Sequence, residues 1–183
     1  MTWVWILLGV AVLLLLYVVL TYNRLVRLRN RVDNAWSGID VQLRRRYDLI
    51  PNLLETVKGY AAHERELFEK VTEARARAMA AGTVPDQAQA ETDITRGLRQ
   101  LLAVAEAYPQ LRANENFLAL QEELTATESK IAFARQFYND QVMGFNTLIQ
   151  QFPSLLVARV GDFRTRDFFE IEEESRGPVD VRP

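Results

Sequence analysis

At 183 residues, the chain is long enough for one domain of ordinary size plus an anchor, and nothing in it points to a second globular core. Twenty-two Lys and Arg against 24 Asp and Glu leave a net charge of −2, so bulk charge implies no nucleic-acid partner. With no cysteine and a single His, His63, the composition excludes disulfides, thiolate nucleophiles, Cys- or His-rich metal sites and a di-iron bundle built on two Glu-x-x-His motifs.

The chain opens with WVWILLGVAVLLLLYVVL, eighteen residues without a charge, which is long enough to cross a bilayer. Trp3 and Trp5 at one end and Tyr17 and Tyr22 at the other suit the two interfaces, where amphipathic rings settle. No Lys or Arg precedes the run and no A-x-A-like site follows it, which favours an uncleaved anchor over a signal peptide. Arg24, Arg27, Arg29 and Arg31 come next, before the first acid, Asp33. Cations on that flank predict a short N-terminus outside and the larger part of the chain in the cytoplasm. The same arginines can meet anionic lipid headgroups, each worth about 1 kcal/mol near the surface.

The stretch from residue 22 to 64 carries the pattern of an amphipathic helix. Val32, Trp36, Ile39, Leu43, Tyr47, Ile50, Leu54, Val57 and Ala61 recur in steps of three and four along one face. Arg44, Arg45 and Arg46 follow one another and therefore point in different directions, so Arg45 and Arg46 read as a solvated collar. Pro51 removes one amide hydrogen and costs a helix interior about 3 kcal/mol. The register nevertheless continues through it, which favours a kinked helix ending near Gly59 over a break at Pro51.

A second helix is predicted over 63–81, a third over 87–107, and between them AAGTVPDQ reads as a loop. Pro109 starts a long fourth helix. Phe117, Leu120, Leu124, Thr127, Ile131, Ala134, Tyr138, Val142, Phe145 and Leu148 keep helical step until Pro153 ends it. The first and fourth helices, about 54 and 60 Å long, match as an antiparallel pair. The expected fold is therefore all-α: one N-terminal transmembrane helix continuing into an antiparallel up-and-down four-helix bundle with long first and fourth helices. Its parts are an anchor (1–22), the bundle (23–152), an aromatic segment packed near the bundle base or the membrane (153–171), and a disordered tail (172–183). Phe163, Phe168 and Phe169 are too many exposed aromatics for a free tail.

Several runs resemble the LemA family: YNRLVRLRN at 22–30, AWSGIDVQLRRRYDLIPNLLETVKGYAAHE at 35–64, AYPQLRANENF at 107–117, the stretch 124–146, and FPSLLVAR at 152–159. The resemblance implies a bacterial membrane protein with one N-terminal span, a short outside N-terminus and a helical-bundle domain. It implies no catalytic residues.

Chemistry is sparse in this sequence. His63 stands beside Glu64, with Glu55, Tyr60 and Glu66 nearby, but a zinc helix of the H-E-x-x-H type needs a second His. Ser37 and Ser154 have no neighbouring base and no nucleophile turn, and the eight glycines form no phosphate-cradling loop. No cofactor or metal is expected. Trp36 either fills the core, the favoured reading, or forms a contact surface. Asn114, Asn116, Asn139 and Asn146 point to inter-helix hydrogen bonds or a partner surface. The candidate partner contacts are Trp36, Arg45, Arg46, Phe163, Phe168 and Phe169. The expected function is that of a non-catalytic inner-membrane binding module, a scaffold or adaptor for an unidentified membrane protein. The alternative is a homo-oligomeric structural protein that organises or remodels the bilayer.

Overall fold

A computed structural model describes residues 1–170, and among them all regular structure is helical. The elements are α1 (Thr2–Lys58), α2 (Arg65–Ala80), α3 (Val84–Glu106), α4 (Pro109–Arg112), α5 (Glu115–Gln150) and α6 (Ser154–Val160). The expected four helices thus become six, and the differences are local in origin. The tail expected at 172–183 lies outside the described residues.

α1 runs through Pro51 without a break. Pro51 itself is exposed, while Leu49, Ile50, Leu53 and Val57 around it are buried. At about 1.5–3 kcal/mol for each large apolar side chain removed from water, these neighbours outweigh the roughly 3 kcal/mol penalty of a mid-helix proline. The buried stripe includes Val32, Ile39, Leu43, Tyr47, Ile50, Val57 and Ala61. Trp36 and Leu54 are only partly covered, and the adjacent Leu53 takes the inward place.

α3 starts three residues earlier than the sequence suggests. The Thr83 hydroxyl accepts from the Asp86 amide at 3.2 Å, and Pro85 occupies the first turn, where its missing N–H would have had no partner anyway. The Gly and Pro that read as loop residues therefore flank a capped helix start. The fourth expected helix is divided in a similar way. After the single turn of α4, the Asn114 side chain accepts from the Phe117 amide at 3.0 Å and begins α5 afresh. Asn114 also donates to the Tyr60 hydroxyl at 3.1 Å. At the other end, Pro153 is followed by the short helix α6.

The described residues form two compact units. One comprises Met1–Asp40 with Ala134–Asp167, and the other comprises Val41–Phe133 with residues 168–170. In the first, Leu25, Val32, Ile39, Tyr138, Val142, Phe145, Val157, Ala158 and Phe163 are buried. In the second, α2 packs against α3, close enough that a Cβ at Gly97 would stand 2.8 Å from Val71 Cγ2.

Candidate functional site

Residues 2 to 20 of α1 are exposed along their whole length, and burial begins at Thr21 and Leu25. Trp3, Trp5, Tyr17 and Tyr22 all belong to the exposed set, as do Arg24, Arg27, Arg29 and Arg31. The described residues contain one helix long and apolar enough to cross a membrane, and it is α1.

The unit that contains this stretch is organised around Phe163. Its ring meets Tyr22 edge-on at 5.5 Å and Phe145 at 6.4 Å, with the Arg29 guanidinium 5.5 Å above it, a cation–π geometry. Backbone turns set this up. At the end of α6 the Phe163 amide donates to the Ala158 carbonyl at 3.0 Å and the Asp162 amide to that of Arg159 at 3.3 Å, a Schellman closure that folds Phe163 back under its own helix. Asp162 takes the left-handed position, with φ of 48°. Gly161 is required for room: a Cβ there would lie 2.6 Å from the Phe163 ring and 3.3 Å from Tyr22. Phe163, expected among the exposed partner contacts, is therefore buried, because three aromatic or cationic groups cover it.

The stretch after α6 is tied down by polar contacts. Asn146 donates from Nδ2 to the Arg166 carbonyl at 2.8 Å and accepts the Arg166 amide at 2.8 Å, so one side chain does what a paired strand would do. Arg166 also pairs with Asp33 at 3.0 Å, and the Tyr138 hydroxyl donates to the Asp167 carbonyl at 2.9 Å. Burial pushes the Tyr138 phenol above its ordinary range, against the lowering effect of Arg166. Trp36 packs its ring on Tyr138 at 5.4 Å, which agrees with a packing role for at least one of its faces. Of the asparagines, Asn114 and Asn146 make bonds between elements rather than presenting a surface.

In the second unit the main departure is Arg46. Expected in a solvated collar, it is 0% exposed. Its guanidinium pairs with Glu91, itself fully buried, and with Glu128 at 2.7 Å, while Thr95 accepts from it at 3.3 Å. Glu91 further accepts from the Tyr47 hydroxyl and from Gln87 Nε2, the latter at 2.9 Å, and Gln87 also donates to the Tyr47 oxygen at 2.7 Å. Burial of a charge requires such partners, and these are supplied by α1, α3 and α5. Arg45, by contrast, is exposed and pairs with Glu123 at 2.8 Å. Phe168 is exposed and Phe169 buried. Glu91, Glu128 and Gln87 had no place in the sequence reading. A signal existed nonetheless: Arg46 falls in step with Leu43 and Ile50, and Glu91 with Ile94 and Leu98, so each charge sits on a buried stripe.

This cluster ties α1, α3 and α5 together through paired charges, although the buried Arg46 Nε has no hydrogen-bond partner among the described residues, and it presents no aligned nucleophile and base facing a cleft. His63 is exposed just before α2, away from any of it in sequence.

A family model described as the LemA family matches residues 35–182, most of the chain. The chain belongs to the LemA family. Relatives extend the likeness. Protein LemA of Metamycoplasma hominis is 28% identical over 87% of this chain and 73% of its own length. Magnetosome protein MamQ 2 of Paramagnetospirillum magneticum is 22% identical over 86% of this chain and 68% of its own. Magnetosome protein MamQ of Magnetospirillum gryphiswaldense is 21% identical over the same shares. None of these names is that of an enzyme. The family match begins at Ala35, so in this LemA-family chain the Arg46–Glu91–Glu128 cluster and the Asn146 clamp fall within it, and the apolar stretch of α1 precedes it.

Proposed function

We propose that the chain is a single-pass protein of the bacterial inner membrane, with a short N-terminus outside and a cytoplasmic helical part that acts as a non-catalytic binding module, an adaptor for another membrane protein. The observation that carries this reading is α1 itself. It is one 57-residue helix whose residues 2–20 are exposed and, from Trp3 on, uncharged and apolar or glycine, and whose later turns are packed, so a lipid anchor and a folded module share one element. The arginines after Tyr22 support the orientation, and the internally paired charges of Arg46, Glu91 and Glu128 support a structural rather than a catalytic use of these titratable groups. Phe133 on α5, 75% exposed, is the kind of uncovered aromatic that partner surfaces use.

Two experiments test the reading. The chain has no cysteine, so single-cysteine variants Thr2→Cys and Met79→Cys report topology cleanly. A membrane-impermeant maleimide applied to intact spheroplasts should label the first and not the second, and the reverse pattern overturns the orientation. A photoreactive residue at Phe133 in living cells should then capture a discrete second protein. Capture of the chain by itself alone would favour the homo-oligomeric, membrane-organising reading.

A further inference from the structure

The seven residues of α6 are apolar on two sides. Ser154, Val157 and Ala158 are buried, whereas Leu156 is 55% exposed and Val160 92%, with Phe152 just ahead at 80%. Residues 156 and 160 lie one turn apart on the same side of the helix. Exposed apolar side chains on a helix whose other face is already packed are covered by a partner or by lipid, and here only one side has a protein partner.

The position of this bare side identifies its occupant. Gly161 follows Val160 directly and stands against the Tyr22 ring, 3.3 Å from where a Cβ would be. Tyr22 closes the exposed apolar stretch of α1. From Trp3 to Tyr22 the helix rises about 28 Å, close to the roughly 30 Å of a hydrocarbon core, so Trp3 at one boundary puts Tyr22 at the other. The C-terminal end of α6 shares the level of Tyr22. Exposed cations lie close in sequence to this level, Arg159 on α6 and Arg24 and Arg27 in the turns of α1 after Tyr22, and the exposed Asp162 is offset by its pairing with Arg164, so the flank suits an anionic lipid surface.

We propose that α6 with Phe152 is an interfacial foot, a short amphipathic element that sinks Phe152, Leu156 and Val160 into the bilayer boundary beside the transmembrane helix while Arg159 meets headgroups. The inference rests on the anchored reading above. It assigns the lipid contact to α6 rather than to Phe163, which is buried within its own unit. A foot at the exit of the span would fix the tilt and rotation of α1, since interfacial anchors set both.

The test uses the full chain reconstituted into vesicles of phosphatidylcholine and phosphatidylglycerol. An environment-sensitive fluorophore is attached to one cysteine at a time, introduced at Leu156, Val160, Leu13 or Met79, all exposed positions. Lipids carrying a doxyl quencher either near the headgroup or deep in the acyl chain are then compared. Probes at Leu156 and Val160 should lose emission to the shallow quencher, at a depth of about 5–10 Å below the headgroup boundary. The probe at Leu13 should respond to the deep quencher, and the probe at Met79 to neither. Quenching at Leu13 without quenching at Leu156 and Val160 overturns the foot and leaves the anchor standing. A blue-shifted but unquenched probe at Leu156 assigns the surface to a protein partner and likewise overturns it. Absence of quenching at Leu13 overturns the anchor and the foot together.

Discussion

Removing Arg46 probes the enclosed ion cluster most directly. In Arg46→Met the stem is replaced by an apolar side chain of similar reach, and the Glu91 carboxylate stays in the core with hydrogen bonds from Tyr47 and Gln87 but no cation. Breaking a buried pair in this way costs about 3–5 kcal/mol. Glu128 is a weaker case, because its side chain is partly exposed and an amide still accepts from Arg46. Glu128→Gln should therefore cost about 1 kcal/mol or less. The double variant Arg46→Met/Glu91→Leu removes both buried charges. Since apolar replacement of a whole buried pair is often neutral or better, it should be clearly more stable than Arg46→Met alone. Urea unfolding of the full chain in detergent micelles, followed by far-UV circular dichroism, reads these differences. With a urea slope of about 2 kcal/mol/M, the Arg46→Met midpoint should fall by about 1.5–2.5 M. A shift under about 0.5 M, or a double variant no better than the single one, would refute the claim that the cluster is a buried, mutually dependent charge pair.

Three further outcomes follow from local geometry. Tyr138 should titrate above its ordinary value of 10.0 in an ultraviolet absorbance titration. The folded chain holds that proton more tightly than the unfolded one, so this contribution to stability is intact below about pH 10 and is lost as pH rises through the folded value. Tyr138→Phe should abolish that loss and cost about 1 kcal/mol for the bond to the Asp167 carbonyl. Gly97→Ala sets about 1 kcal/mol of improved helix propensity against about 1–3 kcal/mol of overpacking on the stiff Val71 side chain. A net loss is expected in the same urea titration, and it should shrink in Gly97→Ala/Val71→Ala. Asp162→Gly relieves a left-handed residue at the end of α6 and should raise stability by about 0.5–1 kcal/mol, whereas Gly161→Ala should lower it by forcing Phe163 off Tyr22.

Much of the helical content was legible in the sequence because its signals are local. Apolar side chains every three or four residues mark a face whose burial outweighs individual obstacles, which is why Pro51 lies inside α1 and why the register of α5 could be read from Phe117 to Leu148. Helix boundaries were read less well. Thr83, Asn114 and Pro153 each offer two local outcomes, a loop or a helix terminus, and the choice depends on whether the next turn finds something to pack against.

The candidate sites divide along the same line. An uncharged run about 30 Å long as a helix, with arginines on one flank, is set by transfer free energy and needs no fold to be recognised. The fate of Arg46 depended on Glu91 and Glu128, 45 and 82 positions further along the chain. Likewise Phe163 became a core residue only because Tyr22 and Phe145 met it, and Arg166 was held only because Asn146 and Asp33 reached it. Composition and periodicity therefore determined that this chain is helical and carries an apolar anchor. Only the tertiary structure decided which charges are internal and which apolar side chains remain bare, since pairing and coverage arise between residues distant in sequence and leave no periodic mark on it.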